Sequence, residues 1–275
     1  MPQLLQHAGD SPLGSSWTAR LPDGRLGLAV RIPGAGQSGL DRARRLGAIH
    51  DPRLIPVVGA VARGSELWVI SELDGGISLR EALSVGLPSP AAAVQVGLTM
   101  LAGLAVLHHS GATHGCLSAE NVRVLPEGAV RLSCFGLTGL QGPLSSSAGD
   151  MAADLHAAGA IVCGALGIPV GMAPASPLTP LEATRPALAA AARRIASPGS
   201  GRGVLTALGA HGLLEEAAGV LAEEEARING QTELSRHVVA FLSGTAPPEA
   251  PPPPAPVPVP PVSQPSVAAV TAPLV

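Results

Sequence analysis

A core almost without aromatic rings is the tightest limit on what this chain can become. Apolar residues make up 46% of its 275 positions, yet they include only two Phe, two Trp and no Tyr. Leucine, valine and alanine must fill the interior, and each buries less area than a ring. A chain of this length suits one large domain or two small ones. A second limit lies at the C-terminus. Beyond Gly244 the run APPEAPPPPAPVPVPPVSQP can neither continue a helix nor pair in a sheet. Residues 244–275 are therefore expected to form a disordered, proline-rich arm rising roughly 3.1 Å per residue. PxxP spacing, as at Pro253 to Pro256, also fits a docking peptide; a run this dense in proline produces it regardless, and a spacer is the simpler reading.

Charge and cysteine usage exclude several classes. The net charge of -3 and pI near 6.2 leave no footprint for nucleic acid and no polybasic membrane patch. All 17 basic residues are arginine; the chain has no lysine. Three cysteines, Cys116, Cys134 and Cys163, without CxxC spacing, suit a reducing, cytoplasmic setting. The opening MPQLLQHAGD lacks the basic and apolar regions of a signal peptide. Pro90 to Leu107 and Ala157 to Ala175 approach membrane-span length, but they are rich in Ala and Gly and interrupted by Gln95 and Pro169. Buried helices are expected there.

Strand-like runs on either side of Pro22-Asp23-Gly24 predict a hairpin from Ser15 to Ile32, and a second joins Leu54–Ala62 to Glu66–Leu73 across Arg63-Gly64-Ser65. Helices are expected over about Leu40–Gly47, Pro90–His109, Gly212–Ile228 and Glu233–Leu242. Short strands are expected near Val122–Val124 and Val130–Cys134.

Between the long central helix and those strands lies the most informative stretch, THGCLSAENVRVLPEGAVRLSCFG, Thr113 to Gly136. It resembles the catalytic and metal-binding loops of the protein kinases, whose H-R-D-L-x-x-x-N and D-F-G patterns fall on His114, Gly115, Cys116, Leu117 and Asn121, then Cys134, Phe135 and Gly136. Both aspartates of the pattern are cysteine. The resemblance extends along the chain. A Gly-rich loop would fall on Gly9, Ser11, Gly14 and Ser16, with its middle glycine replaced. The V-A-I-K strand matches Leu28-Ala29-Val30-Arg31, with Arg31 where the lysine belongs. Asp41 stands where a Glu pairs with that lysine; an Arg31–Asp41 pair and two solvated surface charges are both open readings. Ser71 falls at the gatekeeper and Glu72-Leu73 at the adenine-receiving hinge, while Asp154 matches the buried Asp that braces the catalytic loop. The 17 residues between Gly136 and Asp154 lack an A-P-E motif and are too short for an activation segment.

The resemblance, to a degenerate bacterial Ser/Thr kinase, implies an α+β, two-lobed fold. Residues 1–75 would form a small antiparallel-sheet lobe and residues 76–243 a larger helical lobe, ahead of the tail. It also implies lost phosphoryl transfer, because that reaction needs a compact ammonium, a base and a metal-holding carboxylate. The expected function is an inactive pseudokinase that regulates or scaffolds a protein partner, linked to membrane only through a larger assembly. The alternative is a Ser/Thr kinase-like enzyme with residual or noncanonical nucleotide chemistry, in which Asn121 holds a metal and Glu120 or Asp150 lends a carboxylate. No cofactor is expected beyond weak, metal-free ATP binding in a cleft of Gly9, Gly14, Ala29, Arg31, Glu72 and Leu73. Cys116 and Cys134, with His114 nearby, also admit a redox or zinc reading, set against thiols that fill small apolar spaces.

Overall fold

The computed structural model describes residues 3–11, 13–140, 148–170, 179–197 and 205–245. The tail beyond Thr245, the turn from Pro198 to Arg202 and residues 141–147 of the short segment before Asp154 lie outside them.

Period-two alternation drives the first part of the chain into strands. β1 (Gln3–Ser11), β2 (Gly14–Arg20), β3 (Leu26–Pro33), β4 (Val57–Arg63) and β5 (Glu66–Glu72) make an antiparallel sheet in the order β1-β2-β3-β5-β4. Both expected hairpins form. The Gly-rich segment differs from expectation, since its residues lie in two paired strands: Gly9 faces Ser16 and Ser11 faces Gly14, and the Ser16 hydroxyl donates to the Gly9 carbonyl at 2.9 Å.

α1 (Gly36–Gly47) covers one face of this sheet, burying Leu40, Ala43 and Leu46 against Val30, Ile32, Leu67 and Val69. It starts four residues before the expected Leu40, because Gly36 and Gly39 are packed in its buried face instead of belonging to a loop. The opposite sheet face carries a separate small cluster of Ala19, Ala29 and Ile70, flanked by Leu21, Val61 and Trp68.

Residues 73–76 link this lobe to the helical one. β6 (Ile77–Ser78) leads into α2 (Leu79–Ser84), which opens with a Ser78/Glu81 capping box. α3 (Pro90–His109) is the pillar of the lobe and spans the range expected of it. It is apolar on all sides because α4 (Ala148–Ala165), α7 (Ala207–Ala218), α8 (Glu224–Ser243) and β8 (Val130–Leu132) pack around it. Among the described residues this one helix is long and apolar enough to cross a membrane, and 61% of its apolar window is buried inside the protein. β7 (Val122–Val124) pairs with β6 and β8, and α5 (Pro180–Thr184) and α6 (Pro186–Ala196) complete the lobe.

Two helix expectations are corrected. The helix read over Gly212–Ile228 is broken: α7 ends at Gly219, whose φ of 52° is a left-handed conformation open to glycine. A short 3-10 turn follows, and α8 then runs on through the range read as a separate helix, Glu233–Leu242. α5 had no counterpart in the expectation; its Thr179/Glu182 capping box is the signal that could have revealed it.

Candidate functional site

The loop from His114 to Asn121 is held from beneath by one buried carboxylate. Asp154 on α4 accepts the backbone N–H groups of His114 and Gly115, each at 2.8 Å, and bonds His108 Nε2 at 2.9 Å. Its exposure is 2%. Asp154 therefore satisfies donors that would otherwise be orphaned in the core, as the kinase resemblance implied. His108, the third member of this cluster, was not singled out from the sequence; its place at the end of α3, just before the loop, was the available signal. The His114 ring is fully buried, which pushes its pKa down to about 4 against the opposing pull of Asp154.

Above this brace the structure brings together Cys116, Asn121 and Cys134. The Asn121 side-chain amide donates to the Cys116 carbonyl at 2.7 Å, and Cys116 Sγ lies 3.5 Å from the Cys134 carbonyl. Cys134 takes a φ of 58°, and it is the one non-glycine residue with positive φ among the described residues. The adjoining Phe135 is sealed in the core, while the Gly136 N–H donates back to the His114 carbonyl at 3.0 Å. Burial raises the Cys116 thiol to about 12, helped by Cys134 and Asp154, and burial likewise raises Cys134. Both side chains are thus neutral thiols near pH 7, unreactive as nucleophiles. As a donor set the cluster does not fit magnesium, which asks for carboxylate or carbonyl oxygens in octahedral array. Among the described residues no three His, Cys, Asp or Glu side chains converge to hold a metal ion.

Two of the expected cleft residues, Ala29 and Arg31, lie on another face. Arg31 and Ala29 project from the sheet face opposite α1: Ala29 joins the outer cluster, and Arg31 pairs across the sheet with Trp68 and sits 3.7 Å from Glu66. Inward-facing positions on β3 belong to Leu28, Val30 and Ile32. The motif letters and the pleat are out of phase by one residue, and in a strand one residue reverses the face. The Arg31–Asp41 pair is not formed; Asp41 is exposed and bonds Arg44 at 2.9 Å, leaving the surface-charge reading. Glu120 likewise pairs with Arg80 at the surface. Gly9 and Gly14 lie near the tip of the β1–β2 hairpin.

At the hinge, Glu72 and Leu73 turn their N–H groups to the carbonyls of Pro56 (3.0 Å) and Leu26 (3.4 Å), and the Glu72 carboxylate bonds Arg25 at 2.8 Å. The following residues are tied by a pair that sequence reasoning missed. Arg123 on β7 grips Asp74 through Nη2 at 3.0 Å and Nε at 3.2 Å, and its Nη2 also donates to the Gly76 carbonyl. Only 8% of the Asp74 side chain is exposed. This guanidinium lies near enough to Cys134 to oppose the rise of its pKa, so it runs between the hinge and the loop that would hold a metal. A lone arginine between two valines, two positions after Asn121, was the one local hint.

Comparison with known proteins agrees with this architecture. No protein-family model matches the chain. Over 96 residues, 34% of the chain, it is 33% identical to the serine/threonine-protein kinase PknL of Mycobacterium tuberculosis. Over 85 residues it is 28% identical to the serine/threonine-protein kinase MST20 of Pyricularia oryzae. These matches span 24% and 9% of the respective relatives. Among solved structures, the kinase domain of Mycobacterium tuberculosis PknI superposes with a TM-score of 0.60 at 15% identity, covering 79% of this chain and 96% of that domain. The chain therefore has the protein-kinase fold, and across its matched third it is related in sequence to Ser/Thr protein kinases.

Proposed function

We propose that the protein is a pseudokinase, a regulatory or scaffolding module that binds a protein partner in the cytoplasm and transfers no phosphate. One observation carries this reading: the positions where phosphoryl transfer needs a base and a metal-holding carboxylate hold two half-buried thiols, Cys116 and Cys134, which partial burial keeps neutral. The rest of the cleft agrees. Val30 and not a cation faces inward from β3, and the Arg123–Asp74 pair spans the hinge. Nucleotide affinity in such a cleft is weak and independent of divalent metal, because no group is placed to bridge a cation to phosphate.

Incubation of the purified chain with labelled ATP and magnesium or manganese is expected to label neither the chain nor a generic substrate. Calorimetry is expected to give ATP and adenosine similar, weak affinities that do not respond to metal. Metal-dependent labelling that disappears in Asn121→Ala would overturn this reading and favour the enzyme suggested by the names of the relatives.

A further inference from the structure

One feature of the helical lobe that this reading leaves unused is a cavity of about 700 Å³ between the C-terminal half of α3, the first half of α4 and the start of α7. Its volume falls in the range of small-ligand sites. No residue lining it belongs to the hinge, to β3 or to the Cys116–Asn121–Cys134 cluster. The space exists because the facing helices meet through alanines, Ala102, Ala105, Ala152 and Ala207, with Met151 and Leu155 adding apolar surface. At its margin Leu208 is 71% exposed.

The polar part of the lining is rich in nitrogen. Arg53, His108, His109 and His211 contribute to the wall beside Ser110 and Thr206, and among the described residues no Asp or Glu does. Carboxylates do stand behind this layer: Asp51 holds Arg53 at 2.7 Å, Asp154 holds His108 at 2.9 Å, and Glu215 is 3.8 Å from His211. None of the three lines the cavity, so the surface offered to a ligand is apolar with nitrogen groups gathered on it. We propose that this cavity binds a small aliphatic carboxylate, its chain against the alanines and its head group among His109, His211 and Arg53. Such a ligand would also touch His108, whose imidazole bonds the Asp154 carboxylate that carries the His114–Gly115 backbone. The cavity is thereby one hydrogen-bonded residue removed from the loop brace.

Calorimetry on the whole chain with dodecanoate, dodecanol and dodecyltrimethylammonium, each below its micelle concentration, tests the proposal. Saturable one-to-one binding of the carboxylate is expected, with the alcohol weaker by about tenfold or more, since hydrogen bonds to a charged group are stronger than those to a neutral one, and with no binding of the ammonium. Leu208→Glu changes an exposed residue and sets a negative charge at the margin; it should weaken dodecanoate by about tenfold and leave the melting curve unchanged. Ala105→Phe fills the cavity and should abolish binding. Absence of saturable heat, equal affinity for all three probes, or binding of wild-type strength in both variants overturns the proposal. None of these results depends on the cleft, so the pseudokinase reading stands or falls separately.

Discussion

Asp154 gathers two backbone N–H groups and an imidazole onto one carboxylate, and removal of that acceptor leaves buried donors unpaired. Asp154→Ala is expected to lower stability by about 1–3 kcal/mol, read as an earlier transition in thermal melts; an unshifted melt would contradict the bracing role. The neighbouring His114 makes a pH prediction. Its folded pKa of about 4 lies below the ordinary histidine value of 6.5, so the unfolded chain binds the proton more readily. Stability should therefore fall as pH drops below about 6.5, down to about 4, and stay level with respect to this group above that window. His114→Gln should flatten the slope in a series of melts between those limits. At this scale the kinase-like letters singled out His114, Cys116, Asn121, Cys134 and Asp154, and the fold gathers them at one loop although Asp154 is 40 residues from His114. Those letters were silent on Arg123 and Asp74, which are 49 residues apart and meet only after the hinge has bent.

Strands and helices show where pattern reading is robust and where it slips. α3 has the range expected of it, because a proline in its first turn marks the start. The mismatch at β3 has a different cause: LAVR matches the kinase motif by letters, but Leu28, Val30 and Ile32 supply the larger apolar face that must lie under α1, and burial decides the register over any motif. Arg31 is carried outward as a result. The catalytic loop adds an element-level prediction. Gly115 occupies the place of the kinase arginine with a φ of 78°, and a Cβ there would lie 1.9 Å from Thr138 Oγ1 in the 3-10 turn Thr138–Leu140. Gly115→Arg, which restores the motif by letter, should therefore destabilise the fold by more than the roughly 1 kcal/mol typical of a backbone misfit. Gly115→Ala should already lower the denaturant midpoint, and a neutral result for both would show that the turn yields freely.

As a whole, the molecule answers its shortage of rings by surrounding one apolar helix with others; the buried helix was readable from composition, while the helical lobe around it was implied by the kinase resemblance. The way its lobes are joined was not. Leu73 is anchored to Leu26 in the sheet lobe, while Asp74 and Gly76 are fastened to Arg123 in the helical lobe. Residues 73–76 thus form a stitched seam with few free torsions. In a protein that opens and shuts, occupancy is the message. On the scaffold proposed above, a hinge sewn in this way would hold the angle between the lobes constant, and a partner would read the amount of the protein and not its state, as with a washer and not a valve.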